Sequence, residues 1–239
     1  MSTLIVIPAR AGSKGIPGKN TKLISGMPII SHSIEFALKI CGSDDHIVIS
    51  SDDAKVINIA SAYSEYLTVI KRPDYLSTDT AGMTDVLRHA IEYGEKRAFK
   101  FERILLLQPT SPLRIVDDYL RLCSLMDQGY EMVVSVKKSK QNPYYNLFEE
   151  DDEGFLIKSK PGSFTCRQDC PEVFEYNGSM YLAKKESLLK FGLHGMTKVK
   201  KMLMSEELSV DIDDHFDWAI AEALFSNSKF ITKDNISND

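Results

Sequence analysis

Cysteine is sparse in this sequence, with four in 239 residues. Cys41 and Cys123 fall in stretches that read as ordinary helix, and no disulfide scaffold is legible, so reduced thiols in a cytoplasm are expected. Long apolar runs are missing too. The first, Leu4–Ile7, is closed at once by Pro8 and Arg10, which predicts no signal peptide, and no run approaches the ~18 residues of a membrane span. Positive charge is not in excess: 29 Lys and Arg against 34 Asp and Glu leave a net charge of −5. That argues against a nucleic-acid partner held by bulk phosphate attraction; a polyanion bound here needs a local cluster of cations. No internal repeat is visible. At ~100–200 residues per domain, the length suits one large domain or a domain with a small lobe.

Along the first two thirds, short apolar runs alternate with helical patterns. Strands are expected at Leu4–Ile7, Ile47–Ile49, Leu67–Ile70, Ile104–Leu107 and Met132–Val136. Helices are expected at Ile29–Ile40, Ala54–Ala62 (with Asp52 or Asp53 as cap), Thr84–Ala98 and Val116–Met126. This rhythm predicts βαβ units in a mostly parallel, Rossmann-like α/β sheet flanked by helices, with the all-apolar Ile104–Leu107 central. From Lys137 the chain turns polar, punctuated by Pro and Gly, with Phe155–Ile157 as a possible hairpin strand. Residues 137–176 are therefore read as an extended inserted lobe, and residues 1–136 and 177–239 as the α/β domain. Regular structure resumes at Ser179–Ala183 and Lys185–Lys190. A last helix, about His215 to Phe225, carries Phe216, Ala219, Ile220 and Ala223 at core spacing, and the chain beyond Asn227 reads as a frayed polar tail. The lysine runs at 137–140 and 198–201 read as solvated edges.

The stretch from Pro8 to Asn20 carries the most chemistry. It follows a strand and precedes a helix, which places it at the carboxyl edge of the sheet. Gly12, Gly15 and Gly18 let backbone N–H groups approach an anion, and Arg10, Lys14 and Lys19 supply cations. The alternative, a flexible loop with solvated lysines, leaves that combination at a strand-to-helix edge unexplained. The loop is not a Walker A motif, since Ser13 stands where that pattern needs Gly and Asn20 where it needs Ser or Thr. It lacks the G-x-G of a dinucleotide fingerprint.

Near the other end, Asp211-Ile212-Asp213 lies in a strand-like alternation with Leu208 and Val210. A period of two puts both carboxylates on one face, an arrangement suited to Mg²⁺. Asp213 and Asp214 are also available to cap the helix starting near His215, and Asp217 fits its first turn. His215 is set aside as a ligand because Mg²⁺ prefers oxygen. Cys166 and Cys170 lack the further ligands that a zinc site needs. Gln108 ends an apolar strand, where polar residues are seldom accidental, whereas Tyr181 at a strand position also suits simple packing.

The string IPARAGSKGIPGKN resembles the N-terminal signature of the CMP-N-acylneuraminate (CMP-sialic acid) synthetases. Collinear matches follow: Arg72-Pro73 with Leu76 and Asp79-Thr80, LLQPTSPLR at Leu106–Arg114, Arg167-Gln168 with Pro171, Asn177-Gly178 ending in Tyr181, and SVDIDDHFDW at Ser209–Trp218. The resemblance spans nearly the whole chain. It implies attack of the anomeric hydroxyl of a nine-carbon 2-keto acid on the α-phosphorus of CTP, with release of pyrophosphate. It implies that Arg10 and Lys19 hold the phosphates, that Asn20 and Arg72 contact the nucleoside, and that the backbone at Ala11, Gly12 and Ser13 supports pyrophosphate. Asp211 and Asp213 would hold Mg²⁺, and Gln108, Arg167, Asn177 and Tyr181 would face the sugar. It further implies a homodimer, with the 137–176 lobe as the dimerisation element, and no membrane partner.

One departure bears on the sugar. Family members commonly carry His-Pro-x-Lys where this chain has Asn142-Pro143-Tyr144-Tyr145. The candidates are N-acetylneuraminate, its deaminated relative, legionaminate and, more distantly, 3-deoxy-octulosonate. A nucleotide-sugar glycosyltransferase would also use Asp-x-Asp and a metal, but needs no triphosphate-gripping loop. A catalytically dead nucleotide-binding regulator would lack the aspartates or the loop cations, and both are present.

Overall fold

The computed structural model describes residues 1–12, 15–63 and 65–227. Ser13, Lys14 and the tail beyond Asn227 lie outside the described residues. In chain order the elements are β1 (Thr3–Ala9), β2 (Leu23–Ile24), β3 (Met27–Pro28), α1 (Ile29–Ile40), β4 (His46–Ser51), α2 (Ala54–Ser61), β5 (Thr68–Lys71) and α3 (Met83–Lys96). There follow β6 (Arg103–Leu107), α4 (Val116–Met126), β7 (Met132–Lys138), β8 (Phe148–Glu150), β9 (Leu156–Lys158), β10 (Phe174–Lys184), α5 (Lys185–Phe191), β11 (Val199–Leu203) and α6 (His215–Ser226).

Seven strands form one sheet in the order β11-β7-β10-β6-β1-β4-β5. Four neighbour pairs are parallel, and β10 runs antiparallel to both β6 and β7. The strands are apolar on both faces because helices cover both faces. On β1, Ile5 and Ile7 turn toward the core shared with Ile30, Ile34 and Leu122, while Leu4 and Val6 turn toward Leu87, Ile91 and Leu188. Helix α2 starts as its sequence predicts, with the Asp53 carboxylate capping it through Lys55 N. No helix among the described residues is long and apolar enough to cross a membrane.

Several sequence expectations need correction. The lysine run at 198–201 does lie on a solvated edge, but it belongs to a strand that was not foreseen: β11 pairs parallel with β7 at the sheet edge. The segment carrying Asp211 and Asp213 is not a strand but an irregular connection between β11 and α6, tied by the Ile212 amide to the Thr110 carbonyl at 2.8 Å. Helix α6 also buries a different stripe from the one its spacing suggested. Phe216 is 73% exposed, Ile220, Ala219 and Ala223 are exposed too, and Trp218, Ala221 and Phe225 turn inward. Apolar residues surround this helix almost completely, so periodicity selects no face; what it docks against decides.

That docking creates a third, small core. Ile16 from the loop after β1, Ile24 and Ile29 around the β2–β3 hairpin, Ile212, and Ala221 of α6 pack together out of water. It fastens the start of the chain to its end. Within the 137–176 segment, β8 and β9 form a separate antiparallel pair whose residues are all exposed. Strands β7 and β10 of the main sheet reach into both ends of that segment, pairing Lys138 with Phe174. Ile212→Ala is expected to destabilise the protein by about 2–5 kcal/mol, the usual range for truncating a buried aliphatic side chain, as read by urea unfolding.

Candidate functional site

A cavity of about 490 Å³ opens at the carboxyl ends of β1, β5 and β6, where open α/β sheets place ligands. Arg10, Lys19, Asn20 and Arg72 line one side, and Gln108, Thr110 and Asp213 the other. The loop after β1 and the connection before α6 thus meet at one cavity. Their approach is close: a Cβ on Gly15 would overlap the carbonyl of Asp213.

The three cations are held in different ways. Arg72 is buried, donating from Nη2 to the Ser50 carbonyl at 2.8 Å and from Nε to Ser50 Oγ at 3.2 Å. Burial lowers its pKa to about 10. Arg10 is partly open to solvent and pairs with Asp79 at 2.6 Å. The Lys19 side chain is only 8% exposed; its ammonium donates to the Ile212 carbonyl and sits 3.3 Å from the Asp213 carboxylate, which is 81% exposed. Asn20 is buried, and its Nδ2 donates to the Arg10 carbonyl at 3.1 Å, fixing the loop that carries Arg10. Ala11 and Gly12 are exposed beside the cavity, but the Ala11 amide is already committed to Asp52 Oδ1 at 3.0 Å.

Asp211 and Asp213 feel each other's charge yet occupy different surroundings. Asp213 stands at the cavity wall with its backbone N–H donating to Asp217 Oδ2 at 2.9 Å. That contact belongs to a capping box: Asp214 Oδ1 accepts from the Phe216 and Asp217 amides, while Asp217 also accepts from Asp214 N. The cap of α6 therefore sets where Asp213 sits. His215 is exposed at the first position of the helix.

Asp211 faces inward and accepts from Ser111 Oγ at 3.3 Å. Beside it, β10 changes register between Tyr176 and Tyr181, and Gly178 takes φ +72°. A Cβ on Gly178 would come within 2.7 Å of both Asp211 Oδ2 and Ser111 Oγ, so glycine meets both a backbone and a packing demand. Burial pushes the Asp211 carboxyl above its ordinary value and Asp213 adds to this; hydrogen bonds from Thr110 and Ser111 and the Lys19 charge oppose it. Among the described residues no group of three or more His, Cys, Asp or Glu is arranged to hold a metal ion. Asp213 lines the cationic cavity while Asp211, two residues back, lines a neighbouring one with Glu206 and Asp217. Hard carboxylate oxygens of this kind are the donors Mg²⁺ takes, one or two at a time, with phosphate and water completing its shell.

The residues expected on the sugar side separate. Gln108 lines the cavity. Tyr181 is buried in the sheet, edge-on to Tyr176 with ring centroids 5.7 Å apart, and burial raises its hydroxyl to about 12, with the Asp211 charge contributing. Arg167 is elsewhere, on a turn at Arg167–Asp169, where it donates to the Lys140 carbonyl and lines another cavity with Asn142 and Glu172. Asn177, expected on the sugar side, is bonded within the core: Oδ1 accepts from Ser135 Oγ at 2.6 Å, and Nδ2 donates to Ser209 Oγ at 2.9 Å. It is 1% exposed and has no free polar atom to offer. Arg114, Ser111, Thr110 and Gly178 were not singled out from the sequence; their signal was the polar tail of LLQPTSPLR behind an apolar strand, and a glycine inside one.

A family model described as cytidylyltransferase matches residues 4–191, and the chain belongs to that family. Within it, the chain is of the CMP-sialic acid synthetase type. It is 33% identical to post-translational flagellin modification protein B of Campylobacter coli, over 97% of this chain and 98% of that one. It is also 33% identical to CMP-N,N'-diacetyllegionaminic acid synthase of Legionella pneumophila, covering 94% and 96%. With an N-acylneuraminate cytidylyltransferase of Streptococcus agalactiae it shares 30% identity over 91% of this chain but 52% of that one. The fold matches a CMP:2-keto-3-deoxy-manno-octonic acid synthetase complexed with CTP at a TM-score of 0.68 and 18% identity, covering 95% of this chain and 100% of that one.

The raised pKa of Asp211 has a stability consequence of definite sign. Below the ordinary carboxylate value of 3.8 the group is protonated in both folded and unfolded states and has no effect. As pH rises above that value the unfolded state releases the proton first, so the folded state loses stability until Asp211 itself ionises. Asp211→Asn is therefore expected to unfold at a higher temperature than the unmodified protein at pH 7, with the gap closing in acid, as measured by calorimetry across pH.

Proposed function

We propose that this cytidylyltransferase moves CMP from CTP to the anomeric hydroxyl of a nine-carbon 2-keto acid and releases pyrophosphate. The observation that carries the reading is the single cavity shared by Arg10, Lys19 and Arg72 on one wall and Gln108 and Asp213 on the other. A triphosphate needs several cations at once, and transfer at phosphorus is mainly positioning and charge neutralisation. In this reading Arg10 and Lys19 take the phosphates, Asn20 and Arg72 face the nucleoside, and Gln108 orients the acceptor. Asp211 and Asp213 would hold Mg²⁺, which when bound neutralises phosphate charge and lowers the pKa of the attacking hydroxyl. Lys19, bonded to the Ile212 carbonyl, keeps the phosphate loop and the aspartate segment in register.

For the acceptor, a diacetylated legionaminate-type sugar is the better candidate than N-acetylneuraminate. Two observations support it: Tyr145 stands where the resemblance led to expect a lysine, and the relative named for legionaminate matches along almost its whole length. A cytoplasmic site of action follows from the supply of CTP and agrees with four free cysteines. The test is pyrophosphate release from CTP and Mg²⁺ with a panel of keto sugars. Release with the diacetylated nonulosonate is expected to exceed that with N-acetylneuraminate, and release with a different nucleotide but not with CTP would sink the assignment. Asp211→Asn is expected to cut turnover by ~10²-fold, the scale of losing a preorganised electrostatic partner.

We further propose a homodimer built through the inserted segment. Strands β8 and β9 expose Phe148, Leu156 and Ile157 to solvent, and a two-stranded hairpin with no covered face is marginal in water. A second copy supplies the cover, and this arrangement gives Arg167, remote from the cavity of its own chain, a site on the partner. Light scattering is expected to give twice the 26.9 kDa chain mass. Leu156→Asp combined with Ile157→Asp is expected to return the monomer, and an unchanged mass would contradict the hairpin's role.

A further inference from the structure

Behind the cavity, Arg114 is 8% exposed and makes more side-chain hydrogen bonds than a purely packed residue needs. Its Nη2 donates to the Gln108 carbonyl at 2.6 Å and to the Ser179 carbonyl at 3.0 Å; Nε also reaches Ser179 O, at 3.2 Å. Nη1 donates to Ser33 Oγ of α1 at 3.0 Å, and the guanidinium lies 5.8 Å from the centre of the Phe36 ring. Among the described residues these bonds go to carbonyls and a hydroxyl, none to a carboxylate, although the charge of Asp211 acts on the group. A buried cation without a bonded counter-ion is costly, which calls for a reason beyond filling space.

We infer that Arg114 is the positioning residue of this active site, one planar fork that ties the end of β6, which presents Gln108, to the bulge of β10, which abuts Asp211. The geometry shows how. Gln108 follows the last residue of β6, and Ser179 follows the left-handed Gly178 that touches Asp211 and Ser111. Ser111 lies in the same loop as Arg114, and its one hydroxyl hydrogen is shared between the Asn177 carbonyl at 3.0 Å and Asp211 Oδ1 at 3.3 Å. Holding the carbonyls of residues 108 and 179 therefore fixes the acceptor-side glutamine and the inner aspartate relative to each other. Lysine keeps the charge but has no rigid fork to span two carbonyls and a hydroxyl. None of these bonds reaches Arg10, Lys19 or Arg72, so the cationic wall keeps its geometry without Arg114. The inference rests on the proposed function only in assigning Gln108 and Asp211 to the reacting groups.

The test uses the full chain carrying Arg114→Lys, with Ser33→Ala as a companion that removes only the bond directed away from the site. Hydrogen exchange at the amides of residues 106–111 and 177–180 is expected to quicken about tenfold in Arg114→Lys, while β1 and β4 stay protected. Turnover at saturating CTP is expected to fall by about 10²-fold, the usual penalty for sub-ångström misplacement, with the dissociation constant for CTP little changed. Ser33→Ala is expected to leave both near wild type. Unaltered exchange in the two segments, a loss of CTP affinity in step with turnover, or an Arg114→Lys chain that does not fold would each overturn the inference. Should the unmodified chain release no pyrophosphate with any keto sugar, the substrate reading fails alone; the exchange measurement needs no substrate and still decides for or against Arg114.

Discussion

An ammonium withdrawn from water must find oxygen, and the whole site is arranged around how Lys19 does so. Its donors reach the Ile212 carbonyl and the Asp213 carboxylate, nearly two hundred positions away along the chain. The small core of Ile16, Ile24, Ile29, Ile212 and Ala221 makes that meeting possible by removing apolar surface from water on either side of it. Polar contact alone, half in solvent, would be worth little. Packed beside a dry cluster it becomes a fixed joint, and the cationic and acidic halves of the cavity inherit their spacing from it.

The two aspartates show how one short segment is given two characters. Asp213 is shaped by the α6 capping box and by Lys19 and stays open to the cavity. Asp211 is shaped by Ser111 and the Gly178 bulge and is drawn inward, where its charge is harder to sustain. Neither character comes from strand periodicity. Helix capping sets one and an irregularity in the antiparallel strand of an otherwise parallel sheet sets the other.

Most of the scaffold was legible in the sequence because burial on both faces of a sheet leaves runs such as Leu4–Ile7 and Ile104–Leu107 unmistakable, and α1, α3 and α4 carry a clear apolar stripe. What was not legible follows from physics that acts at a distance. The stripe on α6 was misread because apolar residues circle that helix, and only its dock at Trp218 and Ala221 selects a face. The edge strand β11 was hidden among lysines, since one side of such a strand faces water. In the site, the loop from Arg10 to Asn20 declared itself through glycine and charge. Asn177 is marked less clearly: an amide beside a glycine reads the same whether it faces a ligand or bonds to core hydroxyls, as its side chain does with Ser135 and Ser209. Arg114 closes the quoted LLQPTSPLR block, but nothing in that block separates a surface arginine from one enclosed behind the cavity.

The ion pair between Arg10 and Asp79 offsets one of the cavity's cations from within the chain. An incoming anion gains only the difference between its own attraction for that guanidinium and the attraction it must dislodge. A singly charged anion would gain little from the exchange. A molecule bringing several negative oxygens at once overcomes it. Under the proposed function, one internal carboxylate would thereby act as a threshold that favours ligands of high valence.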